Sequence, residues 1–242
     1  MPYMVKVSKI NKPSKMIGKK RGKLIIIEGA DGTGKATQAE LLVEHLKKNH
    51  IRVKYYDFPQ YHNNFFGDMV ARYLRGEYGS FLQSSPYLVS LPYALDRASV
   101  AEEMKSWLTK GGWIVCNRYV SSHLAHQTAK MATSKEREDF IQWDQHLEYD
   151  MLGVPKEDRV ICLNVPPSIA SKLNLKKGQR THLKKMRQDL AERDVKHQKK
   201  ASDMYTLLSK RLKHWRLIRC VDRKGLLLPI ATIHKKVVQS IQ

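Results

Sequence analysis

The run Gly29-Ala30-Asp31-Gly32-Thr33-Gly34-Lys35-Ala36-Thr37 has the residue types and spacing of a phosphate-binding loop. Its glycines permit backbone conformations that a Cβ would forbid. Successive N–H groups can then turn inward and, with the positive end of a following helix, cradle nucleotide phosphates. Lys35 adds a point charge at the β- and γ-phosphates. A glycine-rich turn with an incidental lysine is the plain alternative, and the flanks argue against it. The apolar run Leu24-Ile25-Ile26-Ile27 precedes the loop, and Ala39, Leu42, Val43 and Leu46 form one apolar stripe after it. Strand, loop and helix therefore follow in the order a P-loop needs.

One position departs from the pattern. A standard P-loop carries Ser or Thr after the lysine, and that hydroxyl coordinates Mg²⁺. Here the position is Ala36, with Thr37 next. Either the metal is held by water, nucleotide oxygens and other side chains, or the site is degenerate. The intact Lys35 favours the first reading.

These groups need a scaffold. Beyond the P-loop strand Leu24–Glu28, β-like runs recur at Arg52–Asp57, Trp113–Asn117, Arg159–Val165 and Arg216–Val221, separated by helix-like segments. The last segment places Pro229 near a helix start, with Ile230, Ile233, Val237 and Ile241 on one stripe. Strands alternating with helices predict a parallel sheet covered on both faces. Ligands of such sheets bind at the carboxyl ends of the strands. Asp57-Phe58-Pro59 and Asn117-Arg118-Tyr119 fall there together with the P-loop, which points to a second substrate. Tyr93 and Arg97, at i and i+4 in a helical stretch, share one face.

Length and composition bound the rest. The 242 residues suit one sizeable α/β domain, and no apolar run approaches the roughly 20 residues of a membrane span. Net charge is +21, from 44 basic and 23 acidic residues. The basic residues are spread along the chain without a nucleic-acid motif. Attraction of small anionic substrates, or solvated lysine faces, therefore ranks above nucleic-acid binding. Cys116, Cys162 and Cys220 each lie in a β-like apolar run, far apart in sequence, which predicts buried reduced thiols in a cytoplasmic protein. Residues 1–22 contain no acid and many lysines, and read as a basic disordered tail preceding a domain over 23–242. A start at Met16 would place the first strand close to the N-terminus.

With these motifs in this order, the chain from about Lys23 onward resembles the thymidylate kinase family of P-loop nucleoside monophosphate kinases. It is most similar to bacterial sequences with a Gly-Lys-Ala-Thr-Gln P-loop and an Asn-Arg-Tyr motif. The resemblance implies the P-loop nucleoside monophosphate kinase fold: a five-stranded parallel sheet flanked by helices, with a small mobile lid. It implies transfer of the γ-phosphoryl of ATP to dTMP, with Mg²⁺. Homodimers are common among such relatives. Tyr93 falls where the family stacks an aromatic ring on thymine, and Arg97 where an arginine hydrogen-bonds the base carbonyl. Arg118 matches the arginine that binds the dTMP phosphate, and Asp31 the acid that contacts the sugar 3′-hydroxyl. Phe58, Pro59 and Tyr61 match a loop that shapes the acceptor site, and His126 and Gln127 fall beside the sugar.

The departures are specific. Gln60 stands where many relatives have Arg, Asn117 replaces the commoner Asp, and His126 stands where some relatives have Tyr. Thr33 occupies the P-loop position where other relatives carry an arginine, so the catalytic cation is expected from the lid, about 170–200. Within Lys176-Lys177-Gly178-Gln179-Arg180, Arg180 is the first candidate, and Arg187 the second. Two rival readings stay open. One is a kinase for another nucleoside monophosphate or a deoxynucleoside. The other is a degenerate P-loop protein that binds nucleotide or nucleic acid.

Overall fold

A computed structural model describes residues 21–79, 84–175, 183 and 189–241. Five strands form one parallel sheet: β1 (Leu24–Glu28), β2 (Val53–Asp57), β3 (Trp113–Asn117), β4 (Arg159–Asn164) and β5 (Trp215–Arg219). Their spatial order is β2-β3-β1-β4-β5. Strand β1 is central, with Ile26 registered against Cys116 of β3 and Val160 of β4. The fifth strand begins one residue earlier than expected and ends at Arg219. Pairing nonetheless continues past it, since Cys220 N–H donates to Asn164 O at 2.9 Å.

The helices are α1 (Lys35–Lys48), α2 (Phe65–Leu74), α3 (Pro86–Ala98), α4 (Ala101–Thr109), α5 (Val120–Thr128) and α6 (Ser134–Gln145). A π-helical turn, His146–Met151, extends α6. Then come α7 (Pro167–Leu175), the single turn α8 (Leu190–Arg193), α9 (Val195–Arg211) and α10 (Ile230–Gln239).

Strand β1 shows why the sheet is apolar throughout. Its side chains alternate between faces, yet both faces are covered. Leu24 and Ile26 pack in one core with Met104, Leu124 and Tyr205 from α4, α5 and α9. Ile25 and Ile27 pack in the other with Leu42 and Leu46 of α1 and Ile233 and Val237 of α10. The predicted stripe on α10 holds except at its first position, where Ile230 is exposed. All three cysteines are buried free thiols.

Residues 1–20 lie outside the described residues. Arg21 and Gly22, read from sequence as the end of the tail, are tied to the domain. Arg21 pairs with Asp158 at 2.8 Å, and Gly22 N–H donates to Leu108 O at 2.8 Å. Among the described residues no helix is long and apolar enough to cross a membrane.

Candidate active site

The carboxyl ends of β1, β2 and β3 open into a cavity of about 380 Å³. The P-loop forms one wall. Gly32 and Gly34 have φ of +82° and +86°, the left-handed region where a Cβ is costly. At Gly32 space forbids a side chain as well, because a Cβ would sit 2.0 Å from Ala170 O in α7. Gly34 caps α1, whose first turn leaves N–H groups without intrahelical partners at the cavity mouth. Ala36 and Thr37 lie there and are exposed. Thr33 instead folds back, donating from Oγ1 to Ala30 O at 2.9 Å. Lys35 is buried; its Nζ donates to Ala30 O at 2.8 Å and lies 3.9 Å from Asp31 Oδ1.

Arg118 forms the facing wall. Its φ of +66° is a left-handed conformation that a non-glycine residue rarely adopts. The backbone is held there from both sides. Arg118 N–H donates to Ile27 O at 3.1 Å, and Tyr119 N–H donates to Glu28 Oε1 at 3.0 Å. Glu28 is fully buried and its carboxylate accepts four further contacts: from Ser121 Oγ, twice from Ser122 Oγ and from Tyr205 OH, at 2.7–3.0 Å. This carboxylate joins the end of β1 to the start of α5 and to α9. The Arg118 guanidinium forms an ion pair with Asp31 and lies 3.3 Å from Ser122 Oγ.

Asp31 is held by three elements. Gln198 of α9 donates to its Oδ2 at 2.8 Å and accepts from its N–H at 3.3 Å. Burial acts to raise the Asp31 pKa, but Arg118, Lys35 and His126 together hold the carboxyl well below the usual range.

The cavity floor carries the aromatic groups. Phe58 is buried between Tyr56 and Tyr119, with ring centroids at 5.9 and 5.7 Å. Tyr61 and Tyr93 line the cavity, and Tyr93 meets the His123 ring edge-on at 4.7 Å. Gln60 is tied to buried Asp96, donating from Nε2 to Oδ1 at 3.2 Å and from its backbone at 3.0 Å. The loop after β2 is thereby fixed to α3, and the Gln60 amide is spent on structure.

Arg97 does not present the free donor fork expected of it. It is buried, with Nε and Nη2 both on Glu148 of the π-helical turn, and Nη2 also 3.1 Å from His123 Nδ1. Asp144, fully buried beside them, has no hydrogen-bond partner on either carboxylate oxygen. Burial pushes its carboxyl up to about 7, with Arg97 pulling the other way. His123, Asp144 and Glu148 have metal-ligand spacing, but the Arg97 cation already occupies the centre of the group.

His126 lies 3.4 Å from Arg118 Nη1 and 3.3 Å from His197 Nε2. Burial, then the Arg118 charge, hold its ring well below the usual histidine pKa, so it is neutral. Gln127 lines the cavity one residue on. Asp57 is an exposed carboxylate at the end of β2, accepting from Asn117 Nδ2 at 2.8 Å. The lid candidates Arg180 and Arg187 lie outside the described residues. Asp189 and Glu192, which follow them, cap α8 and line the cavity.

A sequence profile of thymidylate kinase matches residues 27–218. The chain belongs to the thymidylate kinase family. Its similarity to the thymidylate kinase of Plasmodium falciparum is 36% identity over 152 residues, 63% of this chain and 66% of that relative. To the thymidylate kinase of Mycobacterium tuberculosis it is 31% over 186 residues, covering 77% of this chain and 85% of the relative. The solved structure of Candida albicans thymidylate kinase superposes with a TM-score of 0.69 at 21% identity, covering 91% of each chain. That last likeness establishes the fold: the five-stranded parallel sheet of the P-loop nucleoside monophosphate kinases.

Several residues that organise this thymidylate kinase site went unnoticed in the sequence. Glu28 carried a signal, being the one charge that ends an otherwise apolar strand. Gln198, His123, Asp144 and Glu148 carried none. They meet the site only because α5, α6 and α9 pack beside one another.

Proposed function

We infer that this site transfers the γ-phosphoryl group of ATP to dTMP, giving dTDP and ADP. The observation that carries the reading is the convergence of Lys35 and Arg118 on one oxygen, Asp31 Oδ1. One cation belongs to the donor loop and the other stands at the carboxyl end of a neighbouring strand. Together they mark a single anionic locus between two phosphate sites.

Phosphoryl transfer asks for positioning and charge neutralisation more than for acid–base chemistry. The P-loop amides and Lys35 hold the donor phosphates. Arg118 grips the acceptor phosphate bidentately, aligning one of its oxygens on the γ-phosphorus. As that P–O bond forms, the bond to the β,γ-bridging oxygen breaks and its electrons leave with ADP. Tyr93 provides a stacking face for the base, Tyr61 and Phe58 shape the acceptor side, and Asp31 is placed for the sugar hydroxyl. Neutral His126, with Gln127, walls the sugar. Arg180 of the lid supplies the remaining positive charge, and lid closure excludes water.

Asp57 and the Thr37 hydroxyl offer hard oxygen donors beside the first turn of α1, which suit Mg²⁺ and would hold it in place of a hydroxyl at Ala36. When bound, Mg²⁺ neutralises charge on the donor phosphates. A cytoplasmic setting and a homodimer complete this reading; light scattering on the purified protein checks the latter.

The commitment of Arg97 to Glu148 favours one second reading, a kinase for a different monophosphate. The deciding experiment couples ADP release to ATP and Mg²⁺ across dTMP, dUMP, dGMP, dCMP, AMP and no acceptor. Turnover led by dTMP is expected. Turnover led by another acceptor keeps the mechanism and overturns the substrate. ATP binding without turnover on any acceptor would mean a degenerate P-loop protein.

A further inference from the structure

The deep end of the cavity holds two polar atoms with no partner in the protein. They are His123 Nε2 and Gln127 Oε1, both buried and both on residues that line the cavity. The residues stand at i and i+4 on α5, so they share one helix face. Buried polar atoms are rarely left unpaired, because each costs a lost hydrogen bond. Two on one cavity wall ask for a ligand that completes them.

The chemistry of His123 is fixed from behind. An arginine nitrogen can only donate, so Arg97 Nη2, 3.1 Å from His123 Nδ1, makes that nitrogen the acceptor. The Asp144 and Glu148 carboxylates stand farther from Nδ1, at 3.6 and 3.7 Å. The neutral ring therefore carries its proton on Nε2, and the cavity atom is a donor. Gln127 can turn either end of its amide to the same place, and with Oε1 there it accepts. The wall then reads donor, acceptor.

We propose that His123 and Gln127 read the Watson–Crick edge of the acceptor base, His123 Nε2–H donating to the 4-keto oxygen and Gln127 Oε1 accepting from the N3 imide. Thymine and uracil match this order. Cytosine inverts it, with an amino donor at C4 and an acceptor at N3, and leaves the His123 donor facing another donor. Arg97 then acts as a positioning residue: its hold on Glu148 places the guanidinium that sets the His123 tautomer. The proposal rests on the thymidylate kinase reading and names the part of the site that selects the base.

The test compares wild type, His123→Ala and His123→Gln in kcat/KM for dTMP, dUMP and dCMP. The Ala variant is expected to lose at least tenfold in the dTMP-to-dCMP ratio, mainly through the KM for dTMP, with ATP affinity unchanged. The Gln variant, which restores an amide donor, recovers part of that ratio. Histidine ¹⁵N shifts in the unliganded wild type should show the Nε2–H tautomer, and Arg97→Leu should shift it toward Nδ1–H. An unchanged ratio in a folded, ATP-binding His123→Ala protein, or an Nδ1–H tautomer in wild type, overturns the proposal. If wild type turns over no acceptor, the kinase reading fails instead. Calorimetric binding of dTMP against dCMP to wild type and His123→Ala then decides this inference by the same ratio.

Discussion

Lys35 and Arg118 bring their charges to the same oxygen, Asp31 Oδ1, from opposite walls of the cavity. Two cations that close would repel in the empty site, and the carboxylate between them is what makes the arrangement stable. Gln198 holds that carboxylate from α9, and Glu28 holds the backbone that carries Arg118. The phosphate locus is thus preorganised, with an internal carboxylate standing where substrate charge will act.

Asp31→Asn removes the compensating charge and leaves Lys35 and Arg118 facing each other. The variant is expected to lose about 1–3 kcal/mol of stability, the usual cost of a half-broken buried pair at partial exposure. Inorganic pyrophosphate should restore melting temperature more in the variant than in wild type, because it replaces the missing anion. Equal stabilisation of both proteins would show that Asp31 does not play this part. In wild type the Asp31 pKa is depressed on folding, so its stabilising contribution is present above the ordinary carboxylate value. It is lost only as the pH falls below 3.8.

Lys35→Ala should abolish turnover while the fold persists. The side chain is buried against Ala30 O, but its loss empties a cavity wall and leaves the core untouched. A drop in kcat of at least about a thousandfold is expected from removing the P-loop cation, on the scale of other charge-stabilising groups in phosphoryl transfer. Near-normal kcat in a correctly folded variant would remove Lys35 from the mechanism.

Arg118 separates backbone strain from side-chain function. At φ +66° an alanine suffers as arginine does, while a glycine does not. Arg118→Gly should therefore melt higher than Arg118→Ala, by the equivalent of about 1 kcal/mol. Both should lose dTMP turnover alike, with KM for dTMP raised more than KM for ATP. If the strain sits at Arg118 for its guanidinium, activity and stability move independently in this pair. Equal melting of the two would mean that the surroundings relax the left-handed conformation.

The fold was legible because its signals are local. Ile25 and Ile26 declare a strand covered on both faces, and Gly32 and Gly34 declare the loop. The stripe of Leu42 and Leu46 declares the helix that follows. The aromatic and cationic positions Tyr93 and Arg118 were legible through their order along the chain. What stayed hidden depends on long-range packing. Arg97 looks like a donor fork for a base until α6 and the π-helical turn bring Glu148 against it. Gln60 looks like a lost phosphate contact until Asp96 is seen to hold it. No spacing in the sequence announces either partner.

The buried acid Asp144 gives the fold a pH dependence of opposite sign to Asp31. Its carboxyl is pushed up from 3.8 to about 7 by burial, and no hydrogen bond meets its oxygens. A group whose pKa rises on folding binds its proton more tightly in the folded state. Below 3.8 it is protonated folded or unfolded and contributes no pH dependence. Between 3.8 and about 7 the folded state holds the extra proton, so stability falls as pH rises. Above about 7 the full cost of a buried charge remains, on the order of a few kcal/mol. Asp144→Asn removes the ionisation and keeps the shape. Melting temperature should therefore fall between pH 5 and pH 8 more steeply in wild type than in the variant. The two curves should separate by several degrees at the alkaline end, since about 1 kcal/mol corresponds to roughly 2–4 °C in a chain of this size. Parallel curves would mean that Asp144 is ionised and compensated throughout, with Arg97 shared between both carboxylates.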